Sequence, residues 1–264
     1  MTQLQQKKNN LFSVLSGLFL TNALVAEMIG TKIFSLEKTL NLPPAQIPLL
    51  GDFVLDFNLT AGVVLWPIVF ITSDIINEYF GKAGVRKISL TTAGFIAYAF
   101  VMIYLATQLV PADFWLSINS ADSAGNPLNI NEAFNRIFLQ SLGIIIGSLV
   151  AFLVGQLLDA VTFQWIRRLT GSRIIWLRAT GSTLISQLID SFIVLVIAFY
   201  VFGNPRWKFE QVISVGIINY IYKFVVALIM IPLLYIMHFA IKSYLGGKAS
   251  EQMADEASKT ELFG

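Results

Sequence analysis

The sequence predicts an all-α integral membrane protein with six transmembrane helices and both termini in the cytoplasm. Three observations predict it. Hydrophobic residues make up 56% of the 264 positions and charged residues only 13%, against about 25% charge in ordinary soluble domains. Mean hydropathy is +0.70, and the apolar residues gather in six runs near the roughly 20 residues needed to cross a hydrocarbon core. The Lys and Arg residues between those runs fall into two alternating groups, which is the pattern that orients helices in a membrane.

The polar start from Met1 to Asn10 carries Lys7 and Lys8 and leads into a first span over about 11–34. No small-x-small cleavage site precedes Glu27 and Lys32, so this run reads as a retained helix and not a signal peptide. Residues 35–58 contain Pro43, Pro44, Pro48 and Gly51, a turn-rich excursion in which Ile47 to Phe57 could form a small hairpin or a re-entrant cap. The second span covers about 59–80 and the third about 88–110. Asp113, Asp122, Gly125 and Pro127 mark the next connection, with Trp115 as an interfacial anchor. The fourth span, about 134–163, is longer than a crossing needs and is expected to continue as a cytoplasmic extension. The fifth covers about 180–202, followed by a tight turn from Gly203 to Arg206 and then Trp207. The sixth covers about 212–235 and could run on towards Tyr244. Residues 1–245 thus form a single transmembrane domain, and 246–264 a polar cytoplasmic tail expected to fray.

The charges agree with six crossings. Lys7, Lys8, Lys82, Arg86, Lys87, Arg167, Arg168, Arg173, Arg178, Lys242 and Lys248 fall on one side. Lys32, Lys38, Arg136, Arg206 and Lys208 fall on the other. The expected location is the bacterial cytoplasmic (inner) membrane.

Polar residues inside the spans carry the functional signal. Two blocks nearly repeat, Gln156-Leu157-Leu158-Asp159 and Gln187-Leu188-Ile189-Asp190. An Asp near the centre of a membrane helix costs roughly 2.5–3.5 kcal/mol on insertion scales. Gln and Asp three apart share one helix face and offer an amide and a carboxylate to a small polar solute. Asp74 lies eight residues before Lys82 and Asp159 eight before Arg167, which places both roughly 12 Å above the cytoplasmic charges. Gln187, nine after Arg178, lies roughly 13 Å in, with Asp190 about a turn deeper. Asp74, Asn77 and Glu78 share a face of the second span, Asn219 and Lys223 one of the sixth, and the first span adds Thr21, Asn22 and Glu27. The candidate solute-binding set is Asn22, Asp74, Asn77, Glu78, Gln156, Asp159, Gln187, Asp190 and Lys223.

Plainer roles compete with that set. Asn22, Ser182, Ser186 and Asn219 could simply hold helices together by hydrogen bonds. Glu78 and Arg178, near the cytoplasmic interface, could snorkel. Asp74, Asp159, Asp190 and Lys223 could be a buried ion-pair network. Gly143-x-x-x-Gly147 reads as a small-residue packing motif. The absence of cysteine excludes disulfides and thiolate sites, and His238 has no ligating neighbours in sequence, so no metal or cofactor is expected. G-x-G-D, G-x-S-G and H-E-x-x-H blocks are absent, which argues against an enzyme.

The blocks W-P-I-V-F-I-T-S-D-I-I-N-E-Y-F-G, G-Q-L-L-D, R-A-T-G-S-T-L-I-S-Q-L-I-D-S and N-Y-I-Y-K resemble, in order and across the six spans, the queuosine precursor transporter family, also called the vitamin-uptake-transporter-like family. The long first loop and the acidic tail depart from it. The resemblance implies import of the 7-cyano or 7-aminomethyl 7-deazaguanine bases, with Asp74, Gln156, Asp159, Gln187, Asp190 and Lys223 carried over as site positions. The residues suit such a ring. A carboxylate accepts from its N1–H and exocyclic amine, Gln, Asn or Lys donates to its acceptor edge, and Trp66, Phe70 or Tyr220 could stack on its face. The expected partners are a purine-like solute and the lipid bilayer, not nucleic acid. Asp74 or Asp190 could carry a coupling proton. The alternative is a substrate-binding membrane subunit of a vitamin or purine-like solute importer energised by partner ATPases.

Overall fold

A computed structural model of the chain describes residues 3–50, 53–139, 142–170, 174–203 and 205–262. Among the described residues the fold is all-α apart from short strand pairs in the first loop and an isolated bridge between Ala121 and Pro127. The long helices are α1 (Gln3–Ile29), α3 (Trp66–Thr107), α6 (Leu142–Thr170), α7 (Ile175–Leu195) and α8 (Phe209–Ile229), with α9 (Ile231–Leu245) shorter. Among the described residues five stretches, built on α1, α3, α6, α7 and α8, are long and apolar enough to cross a membrane; α9 is apolar but shorter. This is a multi-pass membrane protein.

Helix α3 holds the residues assigned above to the second and third spans. Its 42 residues would measure roughly 63 Å if straight, about twice the hydrocarbon thickness. It breaks at Gly81, where φ is 70° and ψ −172°. A side chain there would be strained by the positive φ and would also meet Thr260 and the Ala257 carbonyl. Helices α8 and α9 meet at Met230, with Pro232 at the start of α9, so the sixth assigned span crosses that junction.

The packing explains the small residues. Helix α6 lies along α7 and against α3, and α1 covers α3. A Cβ on Gly143 would sit 2.6 Å from Cβ of Phe202, and one on Gly147 3.2 Å from the Val194 carbonyl. Gly143 and Gly147 therefore let α6 approach α7 and the wide π-type turn over Val196–Val201 more closely than any larger residue could. Phe19, Ile75, Ile76, Tyr79 and Phe163 fill the interior between α1, α3 and α6.

The first loop forms two small antiparallel pairs. Strand β1 (Ile33–Ser35) pairs with β4 (Asn58–Thr60), and β2 (Ile47–Pro48) with β3 (Val54–Leu55). The one-turn helix α2 (Leu36–Thr39), capped by Ser35, follows β1, and Glu37 takes the Phe57 N–H at 2.7 Å. The connection after α3 folds into α4 (Asp113–Ile118) and α5 (Ile130–Phe138), so helix begins before the fourth assigned span does.

Two expectations change. The tail forms helix α10 (Gly247–Ala257), because Ser250, Met253, Ala254 and Ala257 recur at helical spacing and bury against the bundle. Arg167 and Arg178, counted above as interfacial charges, are buried and ion-paired. Arg173, Gly51, residues 140–141 of the fourth assigned span, Asn204 of the assigned turn, and the chain ends at 1–2 and 263–264 lie outside the described residues.

Candidate functional site

A cavity opens between α3, α7, α8 and α9. Its polar wall is Asp74 from α3, Thr180, Thr183 and Gln187 from α7, and Lys223 from α8. Trp66, Phe70 and Tyr222 give it aromatic surface, and Val226, Met230 and Leu234 an apolar end. Trp66 and Phe70, one turn apart on α3, are stacked at 5.9 Å with 21° between their planes, and Trp66 also leans on Phe152 of α6.

Two acceptors in this wall lack a partner. Asp74 Oδ1 and Gln187 Oε1 are both buried and neither takes a hydrogen bond from the protein. Buried polar atoms are nearly always paired, and an orphan calls for a reason. Here both oxygens belong to residues that line a cavity.

Behind this wall the polar residues bind one another. Asp159 is a near neighbour of Asp74 and accepts from Ser186 Oγ at 3.3 Å. Ser73 donates to Gln156 Oε1 at 2.7 Å. Asn77 donates to the Ala160 carbonyl at 3.1 Å, and Gln164 Nε2 donates to both Asn77 O and Asn77 Oδ1 at 2.9 Å. These bonds form a polar ladder between α3 and α6. Lys223 Nζ bonds Asp190 Oδ2, joining α8 to α7.

One turn beyond Asp74, Glu78 is paired with two arginines. Arg178 Nη2 meets Glu78 Oε1 at 2.6 Å, and Arg167 Nη1 meets Oε2 at 3.5 Å. Glu78 is 2% exposed and Arg178 1%, so neither snorkels. Helix α7 starts at Ile175, which carries Arg178 into the bundle and not into a loop.

The nine candidate residues thus separate. Asp74, Gln187 and Lys223 line the cavity. Asp159 and Asp190 sit directly behind them. Gln156 and Asn77 serve the α3–α6 ladder, and Glu78 the arginine cluster. Asn22 donates to its own helix at the Leu18 carbonyl, 2.8 Å away, and is not part of the cavity wall. Tyr222, not Tyr220, provides the α8 ring. Helical spacing carries that signal, since Tyr222 falls on the face of Lys223, Val226 and Met230 while Tyr220 falls at its edge. Thr180 and Thr183 are readable in the same way, at i−7 and i−4 from Gln187. Among the described residues no group of His, Cys, Asp and Glu could hold a metal ion.

The family model described as "Putative vitamin uptake transporter" matches residues 60–237, which contain every residue of the cavity wall. The chain belongs to this family. It is a family of transporters, not enzymes. A relative in Bacillus subtilis, named "Probable queuosine precursor transporter", is 32% identical over 183 residues, 68% of this chain and 72% of that one. A Haemophilus influenzae protein of the same name is 27% identical over 68% of this chain and 67% of its own length. The Escherichia coli "Queuosine precursor transporter" is 24% identical over 67% of this chain and 71% of its own. No solved structure matches the chain.

Proposed function

We propose that the chain carries the queuosine precursors 7-cyano-7-deazaguanine and 7-aminomethyl-7-deazaguanine inward across the bacterial cytoplasmic membrane, and that the α3–α7–α8–α9 cavity holds them during transit. The pair of orphan acceptors carries this reading. A deazaguanine presents N1–H and an exocyclic amine side by side, a donor edge that matches Asp74 Oδ1 and Gln187 Oε1, both buried without partners. Lys223 reaches the acceptor edge at O6, and Trp66 and Phe70 offer ring surface to its face. The names of the relatives in three bacteria support the same solute.

The topology that fits is six crossings. The two halves of α3, broken at Gly81, each count as one, and both termini face the cytoplasm. The site then lies near the middle of the bilayer, where alternating-access carriers hold solute. A proton carried by Asp74 is the proposed coupling.

The test is uptake of radiolabelled 7-cyano-7-deazaguanine by the purified chain in liposomes. Accumulation without added ATPases is the expected result; uptake only with partner ATPases would favour the importer-subunit alternative. Asp74→Asn should insert normally and fail to transport. Uptake at wild-type rates by both Asp74→Asn and Asp190→Asn would overturn the site.

A further inference from the structure

The cavity has a polar floor. Each helix that lines the cavity on this side contributes a floor residue close to its lining residues. On α3, Glu78 follows Asp74 by one turn; on α7, Arg178 directly precedes Ala179 and Thr180; on α9, His238 follows Leu234 by one turn. Glu78 and Arg178 pair at 2.6 Å, and His238 Nδ1 and the Tyr79 hydroxyl bond at 2.8 Å, their rings stacked. The floor therefore crosses the gap among α3, α7 and α9 with side-chain bonds. Separating the helices here requires those bonds to break.

Helix α10 braces the floor from outside. Its Asp255 bonds Arg167 Nη2 at 3.3 Å, and the same guanidinium reaches Glu78. Its last residue, Ala257, and Thr260 just beyond it pack on Gly81, where the absence of a side chain makes room. Glu256 approaches Lys8 of α1 at 3.8 Å, and Glu251 bonds Lys242 of α9 at 3.1 Å. One short helix thus touches α1, α3, α6 and α9 at the end of the bundle that holds both termini. The Asp255 side chain is 72% exposed while Arg167 is 5% exposed, so the link that α10 supplies is the weak, water-accessible end of a buried chain of charges. This helix also lies beyond the family match, which ends at residue 237.

We infer that the Glu78–Arg178 and Tyr79–His238 bonds form the gate on the terminal side of the cavity, and that α10 is the clasp that holds it shut through Asp255 and Gly81. The inference rests on the cavity being the solute site, but not on which solute enters it.

The chain contains no cysteine, so one introduced thiol reports access cleanly. The probe is Ala227→Cys, at a cavity-lining position on α8, in the full-length protein in nanodiscs, labelled by a membrane-impermeant methanethiosulfonate with no solute present. Labelling is expected to be slow in this background. It should rise about five-fold when Asp255→Arg sets a positive charge against Arg167, and also when Ala257→Trp wedges α10 from Gly81. Glu251→Gln, at an exposed ion pair, should change it little. In oriented vesicles the gain should appear only with reagent on the terminal side. Fast labelling without the α10 substitutions, an unchanged rate with both, or an equal gain from the opposite side would each overturn the gate. Because no solute is used, failure of the chain to bind deazaguanines would sink the proposed substrate and leave this result standing.

Discussion

The two Gln-x-x-Asp blocks share a spacing, yet they do different work. In the α6 block, Gln156 accepts from Ser73 and Asp159 from Ser186, so both side chains are consumed within the protein. In the α7 block, Gln187 keeps a buried oxygen free on the cavity wall and Asp190 holds the lysine that reaches that wall. The same local pattern gives scaffold on one helix and cavity wall on the next. The difference is the neighbour. Helix α6 packs against both α3 and α7, whose Ser73 and Ser186 occupy its block, whereas Gln187 of α7 turns to the cavity.

Substitutions can break or sharpen that contrast. The largest effect should come from Asp74→Asn, which removes the charge opposite the proposed donor edge. Affinity for 7-cyano-7-deazaguanine should fall by about 100-fold, the scale of a charge-assisted hydrogen bond, read by scintillation proximity on purified protein. Gln187→Met should weaken binding by about ten-fold and leave thermal stability in detergent unchanged, because its oxygen has no protein partner to lose. Gln156→Met should do the reverse, lowering stability by about 1 kcal/mol with Ser73 stranded and leaving affinity nearly intact. If the two glutamines behaved alike, the division between scaffold and site would be wrong. Lys223→Met and Asp190→Asn should be non-additive in a double-mutant cycle, by about 1 kcal/mol, since both side chains of that pair keep about a fifth of their surface exposed. Asn22→Ala should be the mildest, within about 0.5 kcal/mol and without change in uptake.

Much of the site is legible in the sequence. Spacing puts Asp74, Asn77 and Glu78 on one face, and depth counting brings Asp74, Asp159 and Gln187 to one level. What spacing cannot give is rotation. Whether a helix turns Gln156 towards a neighbour or a void depends on side chains far away in sequence, here Ser73 on α3. Depth counting also misplaces Arg178. A basic residue near a helix end ordinarily marks the interface, but α7 begins before this one, and Glu78 supplies a buried counter-charge. Composition makes the tail look frayed, although Ser250, Met253, Ala254 and Ala257 hold the periodicity of a packed helix.

The ladder between α3 and α6 has a mechanical consequence. Ser73, Asn77 and Glu78 each tie α3 to α6, through Gln156, through Ala160 with Gln164, and through Arg167. With no water in the bilayer core to accept the freed groups, sliding one helix along the other would break several bonds at once. The two helices therefore travel as one stiff beam. Helix α8 is held differently, since its buried residues, Val212, Ser214, Gly216 and Ile218, are small or apolar and the Lys223–Asp190 bond joins it to α7. The cavity lies along the seam between this beam and α8, with Asp74 on one side and Lys223 on the other, so a shift of α8 against the beam would change the cavity's width.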